Sequence, residues 1–157
     1  MAEDLIIVKG TRKQQYLELI PQIAALVKDE PDEIANLANI CAALKQQFDW
    51  LWIGFYLVKN GQLVLGPFQG PVACTRIDKG RGVCGKAWQQ METIIVENVG
   101  VFPGHITCSP LSKSEIVLPI FRHGQVIGVL DVDHSEYATF DNTDEMYLTE
   151  ILHLLYP

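Results

Sequence analysis

Early in the chain apolar residues recur with a helical period, and past residue 50 the period drops to two. Between residues 11 and 28, Tyr16, Leu19, Ile20, Ile23 and Val27 fall near one helix face, and Pro21 predicts a bend. Pro31-Asp32 opens a second helix reaching about residue 48, with Ile34, Leu37, Cys41 and Leu44 on one face. Residues 50–58 alternate like a strand, Asn60-Gly61 suits a two-residue hairpin turn, and residues 62–68 supply the partner. A loop carrying Cys74 leads to Gly80-Arg81-Gly82-Val83-Cys84-Gly85 and a short helix through Ala87-Trp88-Gln89. A strand at 93–96 and an irregular stretch from about 98 to 113, which holds Cys108, come next. Strands at 115–121 and 125–133 precede a closing helix that Asp141 caps and that runs to about residue 155. These elements make an α+β fold, a central, mostly antiparallel sheet with helices before it and one after. No repeat, low-complexity tract or long linker breaks the pattern, so residues 1–157 read as one domain.

Composition narrows the setting. Apolar residues make up 48% and charged residues 20%, an ordinary soluble balance. A net charge of −7 weighs against nucleic acid or an anionic membrane surface as partner. No apolar run has the length of a membrane span, and Met1-Ala2-Glu3-Asp4-Leu5 lacks the basic and apolar regions of a secretory signal. A cytoplasmic, reducing location is the expectation, and cysteines there tend to be catalytic, sensing or metal-binding.

That makes cysteine placement informative. Cys74, Cys84 and Cys108 sit in glycine- and proline-rich connections rather than in apolar runs, whereas Cys41 lies on a helix face and reads as inert core. Soon after Cys108 come Glu115 on one predicted strand and Asp131 and Asp133 on the next. The two aspartates share a face because strand side chains alternate. A three-residue Arg122-His123-Gly124 loop sets Glu115 opposite Asp131 on that face; a two-residue His123-Gly124 loop turns it away. The first is expected, since Ile116, Leu118 and Ile120 then pair with Leu130, Gly128 and Val126 in one apolar layer. Three carboxylates on one patch repel, which suits a cationic ligand group or an acid that keeps its proton near neutrality. A solvated polar face is the competing reading.

Two other features carry a similar choice. Trp50, Trp52 and Tyr56 share one strand face with Gly54, opposite Ile53, Phe55 and Leu57, and either pack under a helix or line a cavity. The glycines around Cys84 either make a turn or leave backbone N–H groups at a helix start free for a carboxylate or phosphate. The second option would also lower the Cys84 pKa.

Together, Gly82-Val83-Cys84-Gly85-Lys86-Ala87, Phe102-Pro103-Gly104-His105-Ile106-Thr107-Cys108, Ser114-Glu115-Ile116-Val117 and Gly128-Val129-Leu130-Asp131-Val132-Asp133 form a recognisable set. With the strand Trp52-Ile53-Gly54-Phe55-Tyr56, they resemble the GAF-domain free methionine-(R)-sulfoxide reductases over about residues 10 to 155. Cys41 is an extra outside that pattern. The resemblance implies a GAF-like fold and thiol-dependent reduction of free L-methionine-(R)-sulfoxide to methionine, with no cofactor and no metal. It implies Cys108 as nucleophile, Cys74 as principal resolving thiol, and Cys84 as a pocket residue or alternative resolver. By the same resemblance Glu115 protonates or hydrogen-bonds the sulfoxide oxygen, Asp131 and Asp133 hold the substrate ammonium, and Trp52 and Tyr56 box the S-methyl group. Backbone N–H groups at Gly82, Val83 and Cys84 take the substrate carboxylate. Thioredoxin reopens the resulting disulfide, and oligomeric state, monomer or homodimer, is left open.

The residue types suit that chemistry. A sulfoxide sulfur becomes electrophilic when its oxygen is protonated, which needs an acid of raised pKa. Thiolate attack then gives methionine and a sulfenic acid, and a second cysteine closes a disulfide. Two other readings compete. Cys74, Cys84, His105 and Cys108 could form a zinc set, although the ten-residue step from Cys74 to Cys84 lacks a Cys-x-x-Cys pair. A small-molecule or redox sensor without turnover is weakened by the lack of an attached output domain.

Overall fold

Helix α1 (Arg12–Val27) begins at Thr11, whose hydroxyl accepts from the Gln14 amide while the Gln14 side chain accepts from the Thr11 N–H. It continues through Pro21 and buries Tyr16, Leu19, Ile23 and Val27. Asp32 caps α2 (Glu33–Phe48) by accepting from the Ala35 N–H. The buried face of α2 centres on Leu37, Ile40 and Leu44; Ile34, expected there, falls at its rim in the first turn and is 52% exposed. The chain is described here by a computed structural model covering residues 4–157. Met1, Ala2 and Glu3, part of the terminus read above for a signal, lie outside the described residues.

The remaining elements are β1 (Trp52–Lys59), β2 (Gln62–Gln69), β3 (Arg76–Asp78), α3 (Gly82–Gln90), β4 (Ile94–Val96), β5 (Ser114–Arg122), β6 (Gln125–His134) and α4 (Asn142–His153). The strands form one sheet in the order β3-β2-β1-β6-β5-β4, and every pairing is antiparallel. Strand β3 was not expected, because three residues are too few to display a period. Helix α3 starts at Gly82, earlier than expected, so Cys84 lies on a helix rather than in a connection. Among the described residues no helix is long and apolar enough to cross a membrane.

The sheet separates two apolar layers. Ile53, Phe55, Ile116, Leu118, Leu130 and Val132 pack against α1, α2 and α4. Trp52, Tyr56, Leu63, Val117 and Val129 face the other way, toward Val83, Cys84, Ala87 and Trp88 of α3. The expected grouping of Trp50 with Trp52 and Tyr56 fails. Trp50 precedes β1, stacks on Phe48 at 4.3 Å and meets Phe140 edge-on, so it belongs to the helical layer.

The β5–β6 register also departs from expectation. The turn is the two-residue His123-Gly124, both at positive φ (52° and 75°), the conformation that matches strand twist. Alone it would pair Glu115 with Val132 and send it into the helical layer. A bulge between Ile120 and Phe121 leaves Ile127 without a ladder partner and restores the parity. Glu115 therefore pairs with Asp133, not Asp131, while Ile116, Leu118 and Ile120 pair with Val132, Leu130 and Gly128. The shared face stands; the pairing moves by two residues.

Candidate active site

The α3 side of the sheet is not filled by side chains alone. A pocket opens there with Trp52 and Tyr56 of β1 on one wall and the first turn of α3, Gly82, Val83 and Cys84, on another. Glu115, Asp131 and Asp133 form its floor, and Cys108 and His105 come from the irregular segment that crosses over it. Gly82 sits at φ 59°, and a Cβ on it would come within 3.1 Å of Ile106, so the close approach of that segment to α3 needs glycine. At the rim, Cys108 is joined to half-buried Cys74, with S–S 2.04 Å and Cα–Cα 5.6 Å.

The acids are buried where water would normally screen them. Glu115 is 5% exposed and Asp131 7%. The Cys84 sulfur, a Glu115 oxygen and an Asp131 oxygen all lie within 4.8 Å of one another. Ser112 donates to Asp133 Oδ1 at 2.8 Å, whereas the buried Oδ1 of Asp131 has no hydrogen-bond partner. Burial pushes the Glu115 carboxyl well above its ordinary range, and Asp131 and Asp133 push it further. Asp133 rises for the same reasons, burial first and the Asp131 charge second, with the Ser112 bond partly offsetting them. Burial raises Asp131 too, partly offset by the neighbouring Glu115, Cys84 and Asp133 side chains and by His105. Of the three, Asp131 has the most interactions favouring its charged form, while Glu115 and Asp133 are pushed toward their protonated forms. Such a cluster can hold a cationic group at Asp131 and donate a proton from Glu115.

Cys84 does not behave as the helix-start argument suggested. Burial, then the charges of Asp131, Glu115 and Asp133, raise its thiol well above the ordinary value, so it stays neutral. The first-turn N–H groups of α3 remain available even so: the first intrahelical bond is donated by Gly85, and Arg81 supplies no side-chain cap. The zinc set is not assembled in this form, since Cys74 and Cys108 spend their sulfurs on each other. Among the described residues, the group able to hold a cation is Cys84, Glu115 and Asp131.

The GAF domain family profile matches residues 30–155. The GAF domain-containing protein A of Dictyostelium discoideum is 62% identical over 156 residues, 99% of each chain. The free methionine-R-sulfoxide reductase of Escherichia coli is 45% identical over 138 residues, 87% of this chain and 84% of that one. The crystal structure of the Neisseria meningitidis free methionine-R-sulfoxide reductase, in complex with its substrate, superposes with a TM-score of 0.95 at 51% identity. It covers 98% of this chain and 93% of that one. The chain belongs to the GAF-domain free methionine-(R)-sulfoxide reductase family.

For this member of the family, the structure brings Trp52, Tyr56, Gly82, Val83, Cys84, Cys108, Glu115, Asp131 and Asp133 to one pocket, with Cys74 at its edge. Trp50 is not brought there. Two neighbours escaped the sequence reading in these positions. His105 Nε2 stands 3.8 Å from Glu115 Oε2, and burial holds its pKa below the ordinary imidazole value. Its spacing of three residues before Cys108 is the available signal, and the sequence reading uses it only for a zinc set. Ser112, on the same segment as Cys108, binds Asp133, and nothing in its sequence context distinguished it.

Proposed function

We propose that this protein reduces free L-methionine-(R)-sulfoxide to L-methionine with electrons from its own thiols, one GAF domain carrying the whole reaction. The observation that supports this most directly is the Cys74–Cys108 pair at the rim of a pocket floored by Glu115, Asp131 and Asp133. In this reading Asp131 and Asp133 receive the substrate ammonium, and the unpartnered Asp131 Oδ1 supplies an acceptor that is otherwise costly to bury. The N–H groups of Gly82, Val83 and Cys84 receive the carboxylate at the positive end of α3. Trp52 and Tyr56 enclose the S-methyl group.

Glu115 carries the proton that activates the sulfoxide, for which its raised pKa is suited. The Cys108 sulfur attacks the substrate sulfur and takes over its oxygen, releasing methionine and leaving a sulfenic acid. Cys74 attacks that sulfur; the S–O bond breaks, the S–S bond forms, and the oxygen leaves as water. An external dithiol, thioredoxin in this reading, reduces the disulfide in a cytoplasmic setting. Cys84, buried and protonated, lines the pocket and is the lesser candidate for resolution.

Purified reduced protein supplied with a dithiol is the test, with methionine as the measured product. The free R epimer is expected to turn over. The S epimer and N-acetylated, C-amidated methionine sulfoxide are expected to be poor, since each unmatched polar group costs about 1–3 kcal/mol. Comparable rates on the blocked substrate would sink the proposal.

A further inference from the structure

The two aromatic side chains that wall the pocket also reach past it. Tyr56 is 2% exposed, and its hydroxyl donates to the Cys74 carbonyl at 2.8 Å. Trp52 is 5% exposed, and its Nε1–H donates to the Pro71 carbonyl at 3.0 Å. The rings lie on one face of β1 with centroids 5.9 Å apart, and Trp52 stacks further on Phe68 at 5.3 Å. Their polar ends thus grip both ends of the segment Pro71-Val72-Ala73-Cys74, which joins β2 to β3 and has no regular structure of its own.

Apart from the packing of Ala73 and Cys74 against the α3-side layer and the disulfide itself, which is lost on reduction, that segment has little else to hold it. Val72 is 87% exposed. Its start is pressed against β1, since a Cβ on Gly70 would stand 2.7 Å from both the Leu51 carbonyl and Trp52 Cδ1. Just beyond Cys74, the Leu65 N–H donates to the Thr75 carbonyl at 3.0 Å. Cys74 therefore sits between one bond from the sheet ladder and one from Tyr56. A phenol buried against carboxylates is held far above its ordinary pKa, first by burial and then by Asp131, so this donor keeps its hydrogen.

We propose that the Tyr56 hydroxyl, assisted by the Trp52 indole N–H, is a positioning device for Cys74 that sets how readily it reaches Cys108. The proposal deepens the reading above and rests on it for the place of this step in a catalytic cycle. In the step concerned, the Cys74 sulfur displaces oxygen from the Cys108 sulfenic acid. One S–O bond is exchanged for one S–S bond, and the Cys74 proton leaves with the oxygen as water. Releasing the carbonyl of Cys74 lets the thiol sample more of the exposed loop's conformations, which lowers its effective concentration at Cys108. Tyr56 is thus a positioning residue for resolution as well as a wall of the pocket.

Tyr56→Phe keeps the ring and removes the hydroxyl. Two measurements on the full chain need no sulfoxide substrate. In glutathione redox buffers, the equilibrium constant for the Cys74–Cys108 disulfide should fall about fivefold to tenfold, the size of one neutral hydrogen bond. After one equivalent of hydrogen peroxide oxidises Cys108 to its sulfenic acid, closure should slow by a similar factor, and dimedone should trap more of the acid. Loss of stability alone would lower the melting temperature without moving the glutathione constant. Trp52→Phe, which deletes the bond to Pro71, should shift both readouts in the same direction and carries the test if Tyr56→Phe does not fold. Wild-type values for both readouts in folded Tyr56→Phe overturn the proposal. Failure of the wild-type protein to reduce methionine sulfoxide would overturn the proposed function instead, and leaves these measurements intact.

Discussion

Glu115 and Asp133 are direct partners across the β5–β6 ladder, and they are partners because Ile127 bulges out of it. The bulge turns a two-residue hairpin that would have separated these acids into one that confronts them. In this buried site burial raises both carboxyls, Asp131 raises them further, and Asp133 adds to the rise of Glu115. The site's acid chemistry thus depends on a backbone irregularity several residues away.

Glu115→Gln should lose about 10²–10⁴-fold in turnover, because a carboxamide has no acidic proton for the sulfoxide oxygen. On the proposed mechanism the wild-type protein acts with Glu115 protonated, so turnover should decline as pH rises through its elevated pKa. A pH–rate profile of both proteins checks this, and a variant with near-wild-type rates across pH 6–8 would reverse the assignment.

Asp133→Asn should weaken substrate binding while making the empty protein more stable at neutral pH. The folded-state pKa of Asp133 lies well above its ordinary 3.8, so its contribution is fully present below that value and lost as pH rises through the folded pKa. Asparagine cannot ionise and escapes that loss, yet still offers an acceptor to Ser112 and a donor to Asp131. Melting temperatures at pH 5 and pH 8 should differ less for the variant than for wild type, and the variant should melt higher at pH 8.

Cys108→Ser should release no methionine even in a single turnover. Cys74→Ser should release about one methionine per chain and then stall with thioredoxin, while a small thiol partly restores cycling. Quenched-flow amino-acid analysis separates the two. A stoichiometric burst from Cys108→Ser would show that the nucleophile lies elsewhere.

Cys41→Ala should leave catalysis unchanged. The thiol is fully buried beside the Pro67 carbonyl and burial pushes its pKa up to about 12, so it contributes packing and no reactivity. The cost should be about 1 kcal/mol of stability, read by denaturant unfolding.

Asp144→Ala should cost about 2–4 kcal/mol, since Asp144 accepts from Tyr16 and Arg12 at 2.7 Å each and from the Asp141 N–H at 3.0 Å. Losing it strands a fully buried phenol and unlocks α1 from α4. Thermal unfolding with an unchanged active-site thiol count checks that the damage is confined to stability.

Much of this molecule was open to reading from the chain alone. Helical spacing, the Pro31-Asp32 start and the Asp141 cap located the long helices, because those signals act within a few residues of where they are written. Cys41 read as core for the same reason, and the Asn60-Gly61 turn followed from its left-handed preference. Trp50 misled because alternation assigns a face only inside a strand, and the strand starts two residues later. Ile34 misled because a helix's apolar stripe does not reveal where its neighbours stop.

The candidate site residues that the structure gathers at one pocket, Cys74, Cys108, Glu115, Asp131 and Asp133, were therefore legible in the sequence as residue types and recognisable local patterns. Their chemistry was not. The Cys74–Cys108 pairing was implied only by family resemblance, and the acids and charges around Cys84, the bonds from Tyr56 and Trp52 to the Cys74 segment, and the contacts of His105 and Ser112 join residues distant along the chain. Ionisation depends on burial and on the distance to other charges, and both exist only after the sheet has closed over its second layer. Tertiary structure alone decided which acid keeps its proton and which thiol stays inert.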